Sequence, residues 1–150
     1  MNECIFCKIV NNKINATKVY EDKEFLAILD IHPNTKGMTL VLTKKHYNSY
    51  AFDMPNNIYS KLMLKSKDVA KILEKALKVK RVAMVMEGMG VDHVHIKLYP
   101  LYGLTKKFEE TWTKDKIFFD YYRGHISTKL GPNADPKELK KLAEKIRKFV

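Results

Sequence analysis

The chain has 150 residues, of which 28 are lysine or arginine and 17 are aspartate or glutamate. This length fits one domain with a substantial core, and no apolar run approaches the ~20 residues that a membrane helix needs. No signal-peptide pattern opens the chain, so we expect a cytoplasmic protein with no membrane partner. The formal net charge of +11 favours anionic partners such as nucleotides, polyphosphates or nucleic acid.

Lysine supplies most of this positive charge, because only three of the 28 basic residues are arginine. Proteins that read DNA sequence usually rely on arginine, whose planar guanidinium group matches the edges of bases. Charge alone therefore does not establish nucleic-acid binding. A lysine-rich surface with a local phosphate site is the favoured interpretation.

The only two cysteines, Cys4 and Cys7, stand in Cys-x-x-Cys spacing near the amino terminus. A structural disulfide is rare in the cytosol, which leaves a redox pair or half of a zinc site. A thioredoxin-like redox pair would follow a strand, whereas this pair precedes every predicted strand. Zinc requires two more ligands, and His46 and His93 are candidates. By spacing alone, free thiols and a zinc site remain equal alternatives.

The next segments alternate between strand and helix patterns. Strands are predicted at residues 17–22, 25–31 and 38–42, and apolar positions at helical spacing predict a helix over residues 55–79. Pro55 is a suitable residue for the start of that helix. Asp30 follows an apolar run at a strand end, where it could simply form a turn.

A strand at residues 81–86 and a glycine-containing loop precede a second alternating stretch. In that stretch His93, His95 and Lys97 share one face, and Val94, Ile96 and Leu98 point into a core. A lone buried histidine is more often a core residue. Two histidines in alternation with a lysine favour a functional site, because imidazole can act as nucleophile, base or metal ligand near neutral pH.

The last third of the chain has a different character. Aromatic residues interleaved with lysines could stack bases of a single strand, but covering a hydrophobic surface is the commoner role. Asp135, Pro136 and Glu138 form the start signal of a closing helix, with the cap, the first-turn proline and the acidic residue in sequence.

Residues 90–100 resemble the histidine-triad (HIT) motif, His-x-His-x-His-x-x with apolar x and a closing proline. Here Lys97 replaces the third histidine, and Pro100 stands at the expected place. Four further blocks, at residues 4–10, 19–22, 25–31 and 39–46, follow the order and spacing of bacterial and archaeal HIT proteins, as do Pro33 and Gly37. The resemblance covers residues 2 to 103.

The resemblance implies an α+β fold with an antiparallel sheet of about five strands, one long central helix and a C-terminal helix. It implies a single HIT-like domain over residues 1–150, with a core at 2–103 and an extension at 104–150. It also implies a homodimer in which the sheet continues from one subunit to the other.

The resemblance further assigns the site residues. His95 corresponds to the nucleophile, and Asp30 would bind the ribose hydroxyls. Lys97 departs from the family but occupies a place where a cation could bind phosphate. The backbone amides of the loop glycines Gly88 and Gly90 could also cradle an anion, although a tight hairpin needs glycines too. The predicted wall of the base pocket comprises Phe6, Ile9, Ile28, Leu29 and Ile31. The predicted ligands of a structural zinc ion are Cys4, Cys7, His46 and His93.

The implied activity is hydrolysis or transfer at the α-phosphate of a purine nucleoside phosphoramidate or dinucleoside polyphosphate, through a nucleotidyl-histidine intermediate. The chain departs from the family at Met86, where relatives carry asparagine, and at residues 90–92, where they carry Gly-Gln-Ser or Gly-Gln-Thr. Two alternatives therefore stay open. One is a HIT domain that binds nucleotide without turnover, and the other is a zinc-stabilised nucleic-acid-binding module.

Overall fold

The computed structural model describes residues 4–149 and contains one five-stranded antiparallel sheet. Its strands are β1 (Lys18–Glu21), β2 (Phe25–Leu29), β3 (Thr39–Thr43), β4 (Arg81–Val85) and β5 (His95–Leu101). The order across the sheet is β1-β2-β3-β5-β4, so β1 and β4 are the edge strands. The predicted α+β class and five-stranded sheet are confirmed.

Three helices accompany the sheet: α1 (Ile5–Val10), α2 (Asn56–Leu77) and α3 (Pro136–Arg147). The long helix α2 begins after Pro55 and ends where Lys78 adopts a left-handed conformation. Helix α1 was not predicted, because six residues are too few to show helical periodicity. No helix within residues 4–149 is long and apolar enough to span a bilayer.

The chain divides at residue 108 into two compact units. The first contains the sheet with α1 and α2, and the second contains α3. The predicted start of α3 is confirmed, since the Asp135 side chain accepts a hydrogen bond from the Lys137 amide at 2.8 Å.

The two faces of the sheet carry separate apolar clusters. Val94, Ile96 and Leu98 pack with α2 on one face, as the alternation predicted. On the other face α1 supplies Phe6 and Ile9, which pack with neighbours from β2 and β3. His95 lies opposite Leu42, and Lys97 lies opposite Leu40, a pairing that puts both on the α1 face. The row of polar residues thus projects from the face that α1 covers.

A polar network at Asp22 ties the β1–β2 hairpin to α2. The Oδ1 atom of Asp22 accepts hydrogen bonds from the amides of Glu24 and Phe25 at 2.9 and 2.8 Å. Its Oδ2 atom accepts one from the Tyr20 hydroxyl at 2.8 Å and lies 3.0 Å from Lys65 Nζ. One carboxylate therefore closes the turn and anchors the helix at the same time.

The environment of Asp22 stabilises its ionised form. Partial desolvation works against the charge, but hydrogen bonds from Phe25, Glu24, Lys65 and Tyr20 outweigh it and hold the pKa of Asp22 well below its usual range. Because the pKa is lower in the folded state, this group stabilises the fold above its unfolded pKa, near ~3.9. The contribution is lost as the pH falls through the folded-state pKa.

The Asp22→Asn variant is expected to lose about 1–2 kcal/mol of unfolding free energy at pH 7, because it removes a charged partner of Lys65 and Tyr20. The deficit should shrink progressively as the pH falls below about 4. Urea denaturation followed by circular dichroism at pH 7 and pH 3 measures both values. Asp68→Asn is the matched control, since Asp68 is 65% exposed and lies 3.8 Å from the same lysine. Equal losses of unfolding free energy in the two variants would contradict the stabilising role given to Asp22.

Candidate functional site

Four potential metal ligands converge from three parts of the chain. Cys4 and Cys7 come from the start of α1, where one helical turn separates them, while His46 follows β3 and His93 precedes β5. Their ligand atoms all lie within 4.8 Å of one another. The structure therefore brings together the four residues predicted to bind zinc.

The spacing of these atoms suits a tetrahedral metal. His46 Nδ1 lies 3.3 Å from His93 Nδ1, and Cys7 Sγ lies 3.4 and 3.6 Å from these two atoms, respectively. Cys4 Sγ lies 3.4 Å from His93 Nδ1. Tetrahedral zinc with bonds of about 2.0–2.3 Å separates its ligand atoms by about 3.3–3.8 Å. The donor set fits zinc, and four of the six separations between ligand atoms fall in this range, while all six are at most 4.8 Å.

The backbone fixes the ring of His93 in the orientation that metal binding requires. Its Nε2 atom lies 2.7 Å from the Thr43 carbonyl oxygen. A carbonyl can only accept, so Nε2 carries the proton and Nδ1 presents its lone pair to the other three ligands. Desolvation also lowers the pKa of His93, which favours the neutral ring that binds metals.

Contacts between two loops hold the histidines side by side. The Ser49 amide donates to Asp92 Oδ1 at 2.9 Å, and the Val94 amide donates to the Tyr47 carbonyl at 3.0 Å. Gly88 takes part in this packing, because a Cβ atom there would lie 2.6 Å from the Ser49 carbonyl oxygen. This close approach, with a φ of +81°, explains the glycine without any ligand. Gly90 has open space around it.

His95 is buried, at 5% exposure, directly beside the metal-ligand cluster. Its Nδ1 atom lies 2.7 Å from the carbonyl oxygen of His93. This nitrogen therefore donates, and Nε2 keeps the lone pair of the neutral ring. Phe6 packs edge-on against the imidazole at 5.1 Å between ring centroids. Desolvation lowers the pKa of His95, so the neutral form is favoured.

Lys97 forms an ion pair with Glu87 near this ring. The Lys97 Nζ to Glu87 Oε2 distance is 3.2 Å, and the two side chains are 23% and 10% exposed. The charges of Lys97, Asp30 and Glu87 all act on His95, so these groups form one electrostatic cluster. Glu87 was not predicted. The register between β4 and β5 explains its position, because Glu87 follows Val85, the partner of Lys97 across the sheet, by two residues.

The residues predicted to wall a base pocket do not share one environment. Phe6, Ile9 and Ile28 are buried together on the face that carries His95. In contrast, Ile31 is 83% exposed. Asp30 is half-buried, and its Oδ1 atom accepts from the His32 amide at 2.8 Å, so the carboxylate forms a turn. Their roles in binding a nucleoside stay predictions.

Comparison with known proteins identifies the family. The profile of the HIT domain matches residues 11–103. An uncharacterized HIT-like protein of Methanocaldococcus jannaschii is 38% identical over 119 residues, which cover 75% of this chain and 92% of the relative. An adenosine 5'-monophosphoramidase of Saccharomyces cerevisiae is 34% identical over 122 residues, which cover 78% of this chain and 74% of the enzyme.

The crystal structure of a Zn-bound histidine triad family protein from Mycobacterium smegmatis has a similar fold. Its TM-score is 0.64 at 28% identity, and the match covers 73% of this chain and 84% of that protein. The family profile spans more than half of the chain. The match to each of these relatives also covers most of the relative's own length. The chain therefore belongs to the HIT family.

Proposed function

We propose that this protein is a nucleotide hydrolase or nucleotidyl transferase that acts at the α-phosphate of a purine nucleoside phosphoramidate or dinucleoside polyphosphate. The observation that carries the proposal is the ring of His95, whose Nδ1 atom is bound to the His93 carbonyl at 2.7 Å. This contact leaves the lone pair on Nε2, the arrangement that a nitrogen nucleophile needs. The similar yeast protein, an adenosine 5'-monophosphoramidase, supports the substrate class.

Nucleophilic catalysis by His95 divides the reaction into two displacements. In the first, Nε2 forms a bond to the α-phosphorus while the bond to the leaving amine or phosphate breaks. The leaving group departs with that electron pair, and an amine takes a proton from solvent. In the second, water bonds to phosphorus and releases a proton to solvent, the nitrogen–phosphorus electron pair returns to Nε2, and the nucleoside monophosphate leaves.

Lys97 supplies positive charge for the phosphoryl oxygens in this scheme. Its partner Glu87 holds the ammonium group in place before substrate binds, at 3.2 Å. A phosphate group would replace Glu87 as the partner of Lys97, and fixed charge of this kind is usually the largest catalytic contribution. The backbone amides at Gly88 and Gly90 would extend the same anion site.

The nucleoside would bind on the α1 side of the sheet. Asp30 would accept hydrogen bonds from the ribose hydroxyls just beyond the end of β2, where its Oδ1 atom also accepts from the His32 amide. Phe6, Ile9 and Ile28 provide the apolar surface beside the imidazole, and Leu29 and Ile31 would complete the wall. The homodimer belongs to the same proposal, because β1 and β4 are edge strands at which a sheet can continue.

A zinc ion bound by Cys4, Cys7, His46 and His93 would supply a structural cross-link. Four protein ligands leave no open coordination position, so no chemistry at phosphorus is assigned to it. The match between ligand spacing and tetrahedral geometry supports this part of the proposal, as does the Zn-bound relative from Mycobacterium smegmatis.

The same site favours a second function, nucleotide binding without turnover. His95 is only 5% exposed, and Lys97 is already paired with Glu87. Both features would slow attack at phosphorus while leaving the apolar wall intact. Activity measurements on His95 variants separate the two functions.

Zinc binding is tested by metal analysis of the purified protein. Wild type should hold about one zinc per chain, while Cys7→Ser and His46→Ala should lose most of it, and the melting temperature should fall with the zinc content. His125→Ala is the control, because this histidine lies outside the ligand cluster. Equal zinc contents in all variants would contradict the assignment of Cys7 and His46 as zinc ligands.

The His95→Ala variant should lose hydrolysis of a fluorogenic adenosine phosphoramidate by at least about a thousandfold, because it removes the nucleophile. Its zinc content should stay near that of wild type, while its melting temperature should fall because the change leaves a cavity beside Phe6. Mass spectrometry of acid-quenched wild type should also detect the adenylylated chain. Equal turnover by wild type and His95→Ala would contradict the covalent mechanism. Nucleotide binding by a wild type without turnover would establish the second function instead.

The Lys97→Gln variant should reduce kcat about 10- to 100-fold, because it removes charge from the phosphoryl oxygens. Lys67→Gln, an exposed change on α2, is the matched control and should leave kcat unchanged. Steady-state kinetics with the same phosphoramidate measure both. A Lys97→Gln variant with normal kcat would contradict phosphate binding by Lys97. It would show that this lysine serves only to pair with Glu87.

A further inference from the structure

The charged groups around His95 include more carboxylates than cations. Lys97, Asp30 and Glu87 act electrostatically on His95, and the same three groups act on Tyr99, which shares that face of β5. One cation and two anions give these three groups a formal net charge of −1. A substrate phosphate that binds Lys97 therefore also meets two negative side chains.

The two carboxylates lie on opposite sides of β5 in the sheet. Asp30 follows β2, which β3 separates from β5, whereas Glu87 follows β4, the other neighbour of β5. Asp30 lies on the side proposed for the nucleoside. With the nucleoside on that side, the leaving group on the α-phosphorus is directed toward the β4 side, where Glu87 lies.

Glu87 holds its charge close to the proposed phosphate site. Its Oε2 atom lies 3.2 Å from Lys97 Nζ, and its side chain is only 10% exposed. Lys97 is two residues beyond His95, which corresponds to about 7 Å along a strand. An α-phosphate held between these two side chains brings its leaving group near the carboxylate. Water screens a charge with so little exposure only weakly.

The charge of Glu87 acts differently on the two classes of leaving group. A polyphosphate departs with several negative charges, and a neighbouring carboxylate raises the free energy of its bound state and of its transition state. An amine departs without negative charge once it takes a proton, and the carboxylate stabilises the resulting ammonium group. A like charge placed against one of two ligands is an effective means of discrimination between them.

We propose that Glu87 is a specificity-determining residue that repels polyphosphate leaving groups and favours amines. The inference rests on the proposed function, because it takes His95 as the nucleophile and the α-phosphate as its target. It deepens that function by selecting the nucleoside phosphoramidate over the dinucleoside polyphosphate as the preferred substrate. Glu87 thereby has a role beyond its ion pair with Lys97.

The experiment compares kcat/KM of the full-length protein for an adenosine phosphoramidate with a primary-amine leaving group and for diadenosine tetraphosphate. No divalent metal is added, because a cation bound to the polyphosphate would mask the repulsion. Wild type should prefer the phosphoramidate at least about a hundredfold, and Glu87→Gln should reduce this preference at least about tenfold. Glu87→Asp keeps the charge and should retain most of the preference.

Glu24→Gln is the matched control. It removes a carboxylate that pairs with Lys61 at 2.9 Å in the β1–β2 turn, away from His95, and should leave the preference unchanged. If Glu87 only held Lys97 in place, Glu87→Gln would lower kcat/KM for both substrates by the same factor. An unchanged ratio would therefore overturn the proposal, as would a wild type that prefers the tetraphosphate. Each ratio is taken within one variant, so an unfolded fraction cancels.

A binding measurement separates failure of this inference from failure of the proposed function. Isothermal titration calorimetry compares the affinities for adenosine triphosphate and adenosine monophosphate, again without added divalent metal. Glu87→Gln should gain at least about fivefold in affinity for the triphosphate relative to the monophosphate, because the repelling charge is gone. A wild type that turns over neither substrate would contradict the proposed catalysis alone. An unchanged ratio of affinities would overturn the role of Glu87.

Discussion

The arrangement of the site depends on two hydrogen bonds from imidazole rings to backbone carbonyls. His93 donates from Nε2 to Thr43, and His95 donates from Nδ1 to His93 itself. The two rings therefore carry their protons on different nitrogens, and each presents its lone pair in a different direction. His93 belongs to both contacts, because its ring faces the metal ligands and its carbonyl orients His95. The ligand cluster and the candidate nucleophile are thus mechanically joined through one residue.

The sheet makes this arrangement possible. Pairing of β5 with β3 puts His95 beside Leu42 and Lys97 beside Leu40, on the face that α1 covers. Burial under α1 favours the neutral imidazole of His95, which is the form that can attack phosphorus. The same burial leaves only 5% of the residue exposed, which limits access of a substrate to the ring. Since α1 also carries Cys7, its position would depend on a bound metal. Occupancy of the ligand cluster would then influence how Phe6 lies against His95.

Much of this could be predicted from local patterns. Period-two alternation located the imidazole row. The Cys-x-x-Cys spacing alone left free thiols as an equal alternative, and the full ligand set followed from the resemblance to HIT proteins. The patterns failed where long-range packing decides. The six residues of α1 are too few to show helical periodicity. The contact between Glu87 and Lys97 depends on the pairing of β4 with β5, which no local pattern shows. Ile31 follows an apolar run, yet β2 ends at Leu29 and leaves it 83% exposed. Burial of that kind depends on where a strand stops pairing.

The net charge of the chain also failed to predict where charge lies in the structure. A local phosphate site was the favoured explanation for the excess of lysines, but Lys97 at the histidines is neutralised by Glu87. Several other lysines, including Lys44, Lys61 and Lys65, are paired with acidic groups of the β1–β2 hairpin. Other cations, among them Lys80, Arg81, Lys106 and Lys107, form no salt bridge within residues 4–149. In the described residues a salt bridge thus neutralises the lysine nearest His95 while other cations keep their charge, so net charge alone could not locate a phosphate site.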